Sequence, residues 1–124
     1  IKKINQFKDK NIVLNIRSVK VKHGKVECCA FIINKKCAYL SDVNLIYQKD
    51  YTYFKNLKYF IVDCLRYKTH PSHYNLDQIL TIIKIFKPKK TILTNLHSDL
   101  DYNELKKILP KNILPAYDGM SFNL

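Results

Sequence analysis

Residues 59–94 read YFIVDCLRYKTHPSHYNLDQILTIIKIFKPKKTILT, and this stretch decides the fold. Tyr59-Phe60-Ile61-Val62 is an unbroken apolar run ending in Asp63, the pattern of a strand covered on both faces. Asn75 with Gln78 three residues later resembles a capping box and predicts a helix start. Leu76, Ile79, Leu80, Ile83 and Phe86 recur at helical spacing as its apolar stripe, and Pro88 stops it. Thr91-Ile92-Leu93-Thr94 is then a second short strand. A crossover of this length predicts that strands 59–63 and 91–94 pair in parallel.

Working outward towards the C-terminus, the His97 loop leads to a second helix. Asp101 and Glu104 are expected to cap it, Leu105, Ile108 and Leu109 to face inward, and Pro110 to end it. Asp118-Gly119 predicts a final turn before a short terminal strand. Towards the N-terminus the character changes. Ile12 to Ile16 and Val19 to Val21 are strand-like, and Lys22-His23-Gly24-Lys25 breaks the run. A strand from about Val26 to Ile33 follows, then a tight turn at Asn34-Lys35 into Cys37-Ala38-Tyr39-Leu40. Leu45 to Leu57 is Tyr-rich and reads as a short helix at most. Antiparallel strands followed by β-α-β-α imply a layered α/β arrangement.

The 124 residues make one domain or a piece of one, with no repeat, low-complexity run or Gly/Ser linker. With two glycines, Gly24 and Gly119, Gly-rich phosphate loops are excluded. No segment approaches the roughly 20 apolar residues that span a bilayer, so no membrane partner is expected. The formal charge is +12, but of 22 Lys and Arg only Arg17 and Arg66 are Arg. The lysines are scattered, with short clusters at Lys2-Lys3, Lys35-Lys36, Lys87 with Lys89-Lys90, and Lys106-Lys107. Such a surface is first a solvated one, and its field also attracts phosphate-bearing molecules. Cys28, Cys29, Cys37 and Cys64 lack C-x-x-C spacing, which fits a reduced, cytoplasmic protein.

Polar residues gather where the predicted strands end: Asp42, Asp63, the loop with His70 and His73, and His97, with His23 at the break between strands. Open α/β sheets bind ligands at such an edge. A His and carboxylate set converging from separate strands can hold a metal. Each residue also has a plainer reading. Asp42 can be a turn former, Asp63 an anchor for a neighbouring loop, and a lone loop His a solvated one. His73 and His97 can serve helix entries.

Five blocks in order carry a resemblance. Ala38-Tyr39-Leu40-Ser41-Asp42-Val43 resembles the AYLTDV segment of metallo-β-lactamase-fold hydrolases and follows His23-Gly24 at that family's interval. Val62-Asp63-Cys64-Leu65-Arg66 resembles LDALR, and His70-Pro71-Ser72-His73 resembles HPTH. Residues Leu93 to Tyr102 resemble LTNMHxDLDY, and Ala116-Tyr117-Asp118-Gly119 completes the series. The set is similar to the subgroup containing cyclic-phosphate phosphodiesterases.

The resemblance implies an α/β fold, half of an αββα metallo-β-lactamase sandwich, as a mixed sheet with helices on its outer face. It implies two divalent metal ions, Zn or Mn, about 3.5–4 Å apart and sharing a hydroxide that attacks phosphorus. His23, Asp42 and His97 would be metal ligands, with Asp42 bridging. His73, ranked above His70, would hold the phosphate or protonate the leaving oxygen. His70 would assist substrate binding, and Asp63 would steady a ligand or loop from behind. The H-x-H-x-D-H motif of the family is absent, so residues 1–124 are expected to be its C-terminal half, inactive alone and with an apolar sheet face exposed. The implied substrate is a small phosphodiester or nucleotide-like molecule, with nucleic acid and a homodimer also compatible. From another class, the same charge admits a non-catalytic, basic nucleic-acid-binding or interaction module on this fold.

Overall fold

The structure is a computed structural model that describes residues 4–9 and 12–124, with side chains from Val13 onward. The Lys2-Lys3 pair lies outside the described residues. An eight-stranded mixed sheet forms from β1 (Ile4–Asp9), β2 (Ile12–His23), β3 (Val26–Ile33), β4 (Cys37–Leu40), β5 (Leu45–Ile46), β6 (Tyr59–Asp63), β7 (Lys90–Thr94) and β8 (Ile113–Pro115). The spatial order is β1-β2-β3-β4-β6-β7-β8, and the two-residue β5 pairs with β2. Pairing is antiparallel from β1 to β4 and parallel from β4 through β6 and β7 to β8. The predicted parallel pair is present, with Tyr59 opposite Lys90 and Asp63 opposite Thr94.

Two turns fix the antiparallel register. At β2–β3, Gly24 has a φ of +60°, which its lack of a Cβ permits at no steric cost. At β3–β4, Asn34 and Lys35 both have positive φ, and the Lys36 amide donates to the Ile33 carbonyl at 2.9 Å. That pair of left-handed residues is the mirror-image turn whose twist suits a hairpin.

Helix α1 (Leu76–Phe86) starts at the expected capping box, with Asn75 and Gln78 exchanging both hydrogen bonds at 2.9 Å. It ends with Lys87 in a left-handed conformation ahead of Pro88. Its buried face is Leu76, Ile79, Ile82, Ile83 and Phe86, while Leu80 is only partly covered. The stripe is thus centred between Ile79 and Ile83 and includes Ile82. The face packs on Val19, Val21, Ala30, Ile32, Ala38, Leu40, Phe60 and Val62, all from one side of the sheet. Phe54, Phe60 and Phe86 close the core, with Phe54 and Phe86 stacked at 5.5 Å and Phe60 edge-on to Phe86 at 5.6 Å. Each such pair contributes about 0.5–1.5 kcal/mol beyond its burial.

The opposite sheet face is thinly covered. Cys37, Tyr59 and Ile92 are buried there under Ala116 and Met120, and Phe122 lies on Tyr59 at 4.3 Å. Phe31 and Tyr39 on the same face are 40% and 41% exposed. Helices on one face and a part-open apolar face on the other are the expected half sandwich.

Three local expectations change. Helix α2 (Tyr102–Ile108) is capped by Asp101, which accepts from the Glu104 amide at 2.9 Å, but Ile108 is 62% exposed. Seven residues are too few to bring more than Leu105 fully into the core, and Leu109 reaches it only from the extended chain beyond the helix. The last strand is β8, before Asp118-Gly119 rather than after it. As an edge strand it tolerates Pro115, which has no N–H to give. The Leu45 to Leu57 stretch holds β5 and a 3-10 turn, Gln48–Tyr53. Among the described residues no helix is long and apolar enough to cross a membrane.

Candidate metal centre

Strands β2, β4, β6 and β7 all end at one edge of the sheet, because two antiparallel steps restore the direction of β2 in β4 and the rest are parallel. That edge therefore collects His23, the loop with Asp42, the loop 64–75 and the loop with His97. One ligand atom from each of His23, Asp42 and His73 lies within 4.8 Å of the other two. Among the described residues this is the one cluster of three or more His, Cys, Asp or Glu donors.

The two imidazoles are oriented from behind. His23 Nδ1 lies 2.8 Å from the Ser72 carbonyl, which can only accept, so Nδ1 carries the proton and Nε2 keeps its lone pair. His73 Nδ1 donates to Asp63, again leaving Nε2 free. Such backing fixes the tautomer and the ring orientation. The rings of His23 and His73 meet edge-on at 4.6 Å.

Asp63 ties the edge together. Its side chain is fully buried, and it accepts from His73, from Asn95 Nδ2 at 3.1 Å and from the Val43 amide at 3.4 Å. One carboxylate thereby joins the loops that follow β4, β6 and β7. Burial pushes its pKa up, and the hydrogen bonds from His73 and Asn95 pull against that rise.

Gly24 lies directly beneath the 70–73 loop: a Cβ there would sit 3.0 Å from Ser72 Cβ. Its amide donates to Asn44 Oδ1 at 2.8 Å, which locks the β2–β3 turn to the Asp42 loop. Arg66 holds the other end of the 70–73 loop by donating to the Lys68 and Thr69 carbonyls at 3.3 and 2.9 Å.

His70 is of a different kind. Its Nδ1 accepts from the Ser72 amide at 3.2 Å, so the neutral ring carries its proton on Nε2 and presents a donor. Partial desolvation and then Arg66 hold its pKa below the ordinary value. His97 stands outside the cluster. Its side chain is 59% exposed, and its Nδ1 lies 3.1 Å from Asp99 Oδ1. Asp42 is exposed, with Ser41 Oγ donating to it at 3.4 Å.

Nε2 of His23 and the Asp42 carboxylate suit one divalent ion, and the free Nε2 of His73 beside them can either complete its shell or face a substrate held there. A second ion would need donors from outside this cluster. Sequence reasoning did not single out Ser72, Asn44 or Asn95. Asn95 alone had a signal, as a polar residue able to take positive φ directly after a strand, and its φ is +56°.

Comparison with solved structures gives the fold. A diphosphatase of the PhnP family superposes with a TM-score of 0.84 and 29% identity, over 95% of this chain and 45% of that one. Human tRNase Z, short form (ELAC1), matches at 0.69 and 13% identity over 96% and 44%. The metallo-β-lactamase fold protein YhfI from Bacillus subtilis matches at 0.69 and 17% identity over 94% and 51%. The chain thus spans about half the length of each structure. No protein-family model and no curated protein matches it.

Proposed function

We propose, starting from a chain that is one half of a metallo-β-lactamase fold, that the complete protein is a metal-dependent hydrolase acting on phosphodiesters. The observation that carries this reading is the meeting of His23, Asp42 and His73 at one sheet edge, with His73 backed by the buried Asp63. In this reading His23, Asp42 and, from the next loop, His97 hold two divalent ions, Zn or Mn, together with ligands from the other half. When bound, the ions supply Lewis acidity and lower the pKa of a water for attack on phosphorus.

The chain's own residues do the rest. Ser72 and Asp63 hold the two imidazoles at fixed tautomers, so Nε2 of each is ready without rotation. In this reading Asp63 holds the His73 ring so that its free Nε2 takes a proton from the attacking water and passes it to the leaving oxygen. His70 Nε2–H donates to a non-bridging phosphate oxygen without adding charge. The excess of 22 basic over 10 acidic residues draws a phosphate ester to the site. The chain alone would be inactive, because it supplies only part of the ligand set.

Asp42→Ala in the complete protein tests this. Metal content by mass spectrometry and hydrolysis of bis(p-nitrophenyl) phosphate should collapse together, turnover by about a thousandfold or more (about 4 kcal/mol). Undiminished turnover in that variant ends the reading.

A further inference from the structure

At the opposite edge of the sheet, between the lower ends of β2 and β3 and the 3-10 turn, lies a cavity of about 330 Å³. Its walls are Asn15, Arg17, Ile32, Lys35, Thr52, Tyr53, Lys55 and Leu57. Ile32 and Leu57 are buried and make an apolar floor continuous with the core. Arg17, Lys35 and Lys55 bring three positive charges to the walls, and none of the described lining residues is acidic. The Arg17 guanidinium lies over the Tyr53 ring, 4.6 Å from its centroid. Stacking of this kind holds the planar fork in place while its N–H groups stay free for an anion. Arg17 and His23 are six residues apart on β2, roughly 20 Å at the rise of an extended strand. A small molecule in this cavity therefore cannot touch the metal centre. The cavity lies on the helix-bearing face, away from the part-open face of the sheet.

We propose that this cavity is a second binding site, for a small organic phosphate of mononucleotide size. The volume is within the range of small-molecule sites. Three cations match a phosphate dianion, and the apolar floor with the Asn15 amide and Thr52 hydroxyl matches a flat, polar-edged body. The described walls of this cavity carry three cations, whereas the metal edge gathers imidazoles and carboxylates with Arg66 beside them. The proposal stands whether or not the metal centre hydrolyses phosphodiesters.

Isothermal titration of the complete, metal-loaded protein with adenosine 5′-monophosphate decides it. One saturable site is expected, weakened about tenfold or more by Arg17→Gln and several-fold by Lys55→Gln, and changed less than twofold by Asp42→Ala. Lys55 is exposed, so its variant reads binding without a folding defect. Four outcomes overturn the proposal. These are the absence of saturable binding, loss in Asp42→Ala with both cation variants neutral, inorganic phosphate binding as tightly as the nucleotide, and binding that requires an oligoribonucleotide.

Discussion

The two edges of this sheet are built from the same strands and hold their side chains by different means. At the edge where the parallel strands end, a buried carboxylate, Asp63, gathers three loops, and a backbone carbonyl, Ser72, orients a fourth element. At the edge where they begin, Arg17 is held by an aromatic face, and Lys35 and Lys55 stand in solvent. Buried hydrogen bonds to a carboxylate are costly to break because each partner is left desolvated and unpaired. A stacked or solvated cation leaves little behind when it is removed. The first edge is therefore stiff and intolerant, the second adaptable.

The largest effect expected from this contrast is that of Asp63→Ala. His73, Asn95 and the Val43 amide would lose their common acceptor, and stability should fall by about 2–4 kcal/mol by urea denaturation. A loss under 1 kcal/mol would mean that the three loops hold without it, and the contrast would fail. Next is Gly24→Ala, which places a methyl at 3.0 Å from Ser72 Cβ on a left-handed backbone. A cost of about 1–3 kcal/mol is expected, together with weaker metal binding because the Ser72 carbonyl that orients His23 is displaced. Unchanged metal affinity would separate the turn from the site.

The smallest effect has the opposite sign. Lys35 sits in the other hairpin turn with a φ of +53°, where a Cβ is penalised. Lys35→Gly should stabilise by about 0.5 kcal/mol, the relief of strain slightly exceeding the added freedom of the unfolded chain. A clear destabilisation would show that the amino edge is as tightly specified as the carboxyl edge.

How much of this was legible beforehand follows from the range of each interaction. The Asn75–Gln78 box, the Asn34-Lys35 turn and the Tyr59–Val62 run are local signals, read within a few residues, and all three stand in the structure. Strand β1 was not foreseen, because INQFKD carries two apolar residues without a regular period and owes its place to pairing with β2. The outward Ile108 and the early last strand share a cause: short terminal elements are placed by what they dock on rather than by their own pattern. The candidate site was half legible. His23, Asp42 and His73 were among the candidates, but the Asn95 amide and the Ser72 carbonyl carry no mark of their partners 32 and 49 residues away in the chain. The Arg17 cavity had no signal beyond the scarcity of arginine.

The sequence by itself determined the type and order of most elements, the parallel pairing after residue 59, and the set of polar residues at the strand ends. These depend on periodicity, caps and turn residues, which act over one to four positions. Only the tertiary structure decided that Asp63 faces inward to serve three loops, that His73 rather than His97 joins His23 and Asp42, and that Arg17 lies on Tyr53. Those choices rest on contacts between distant segments, fixed only when the sheet has closed its register and the loops have packed against one another.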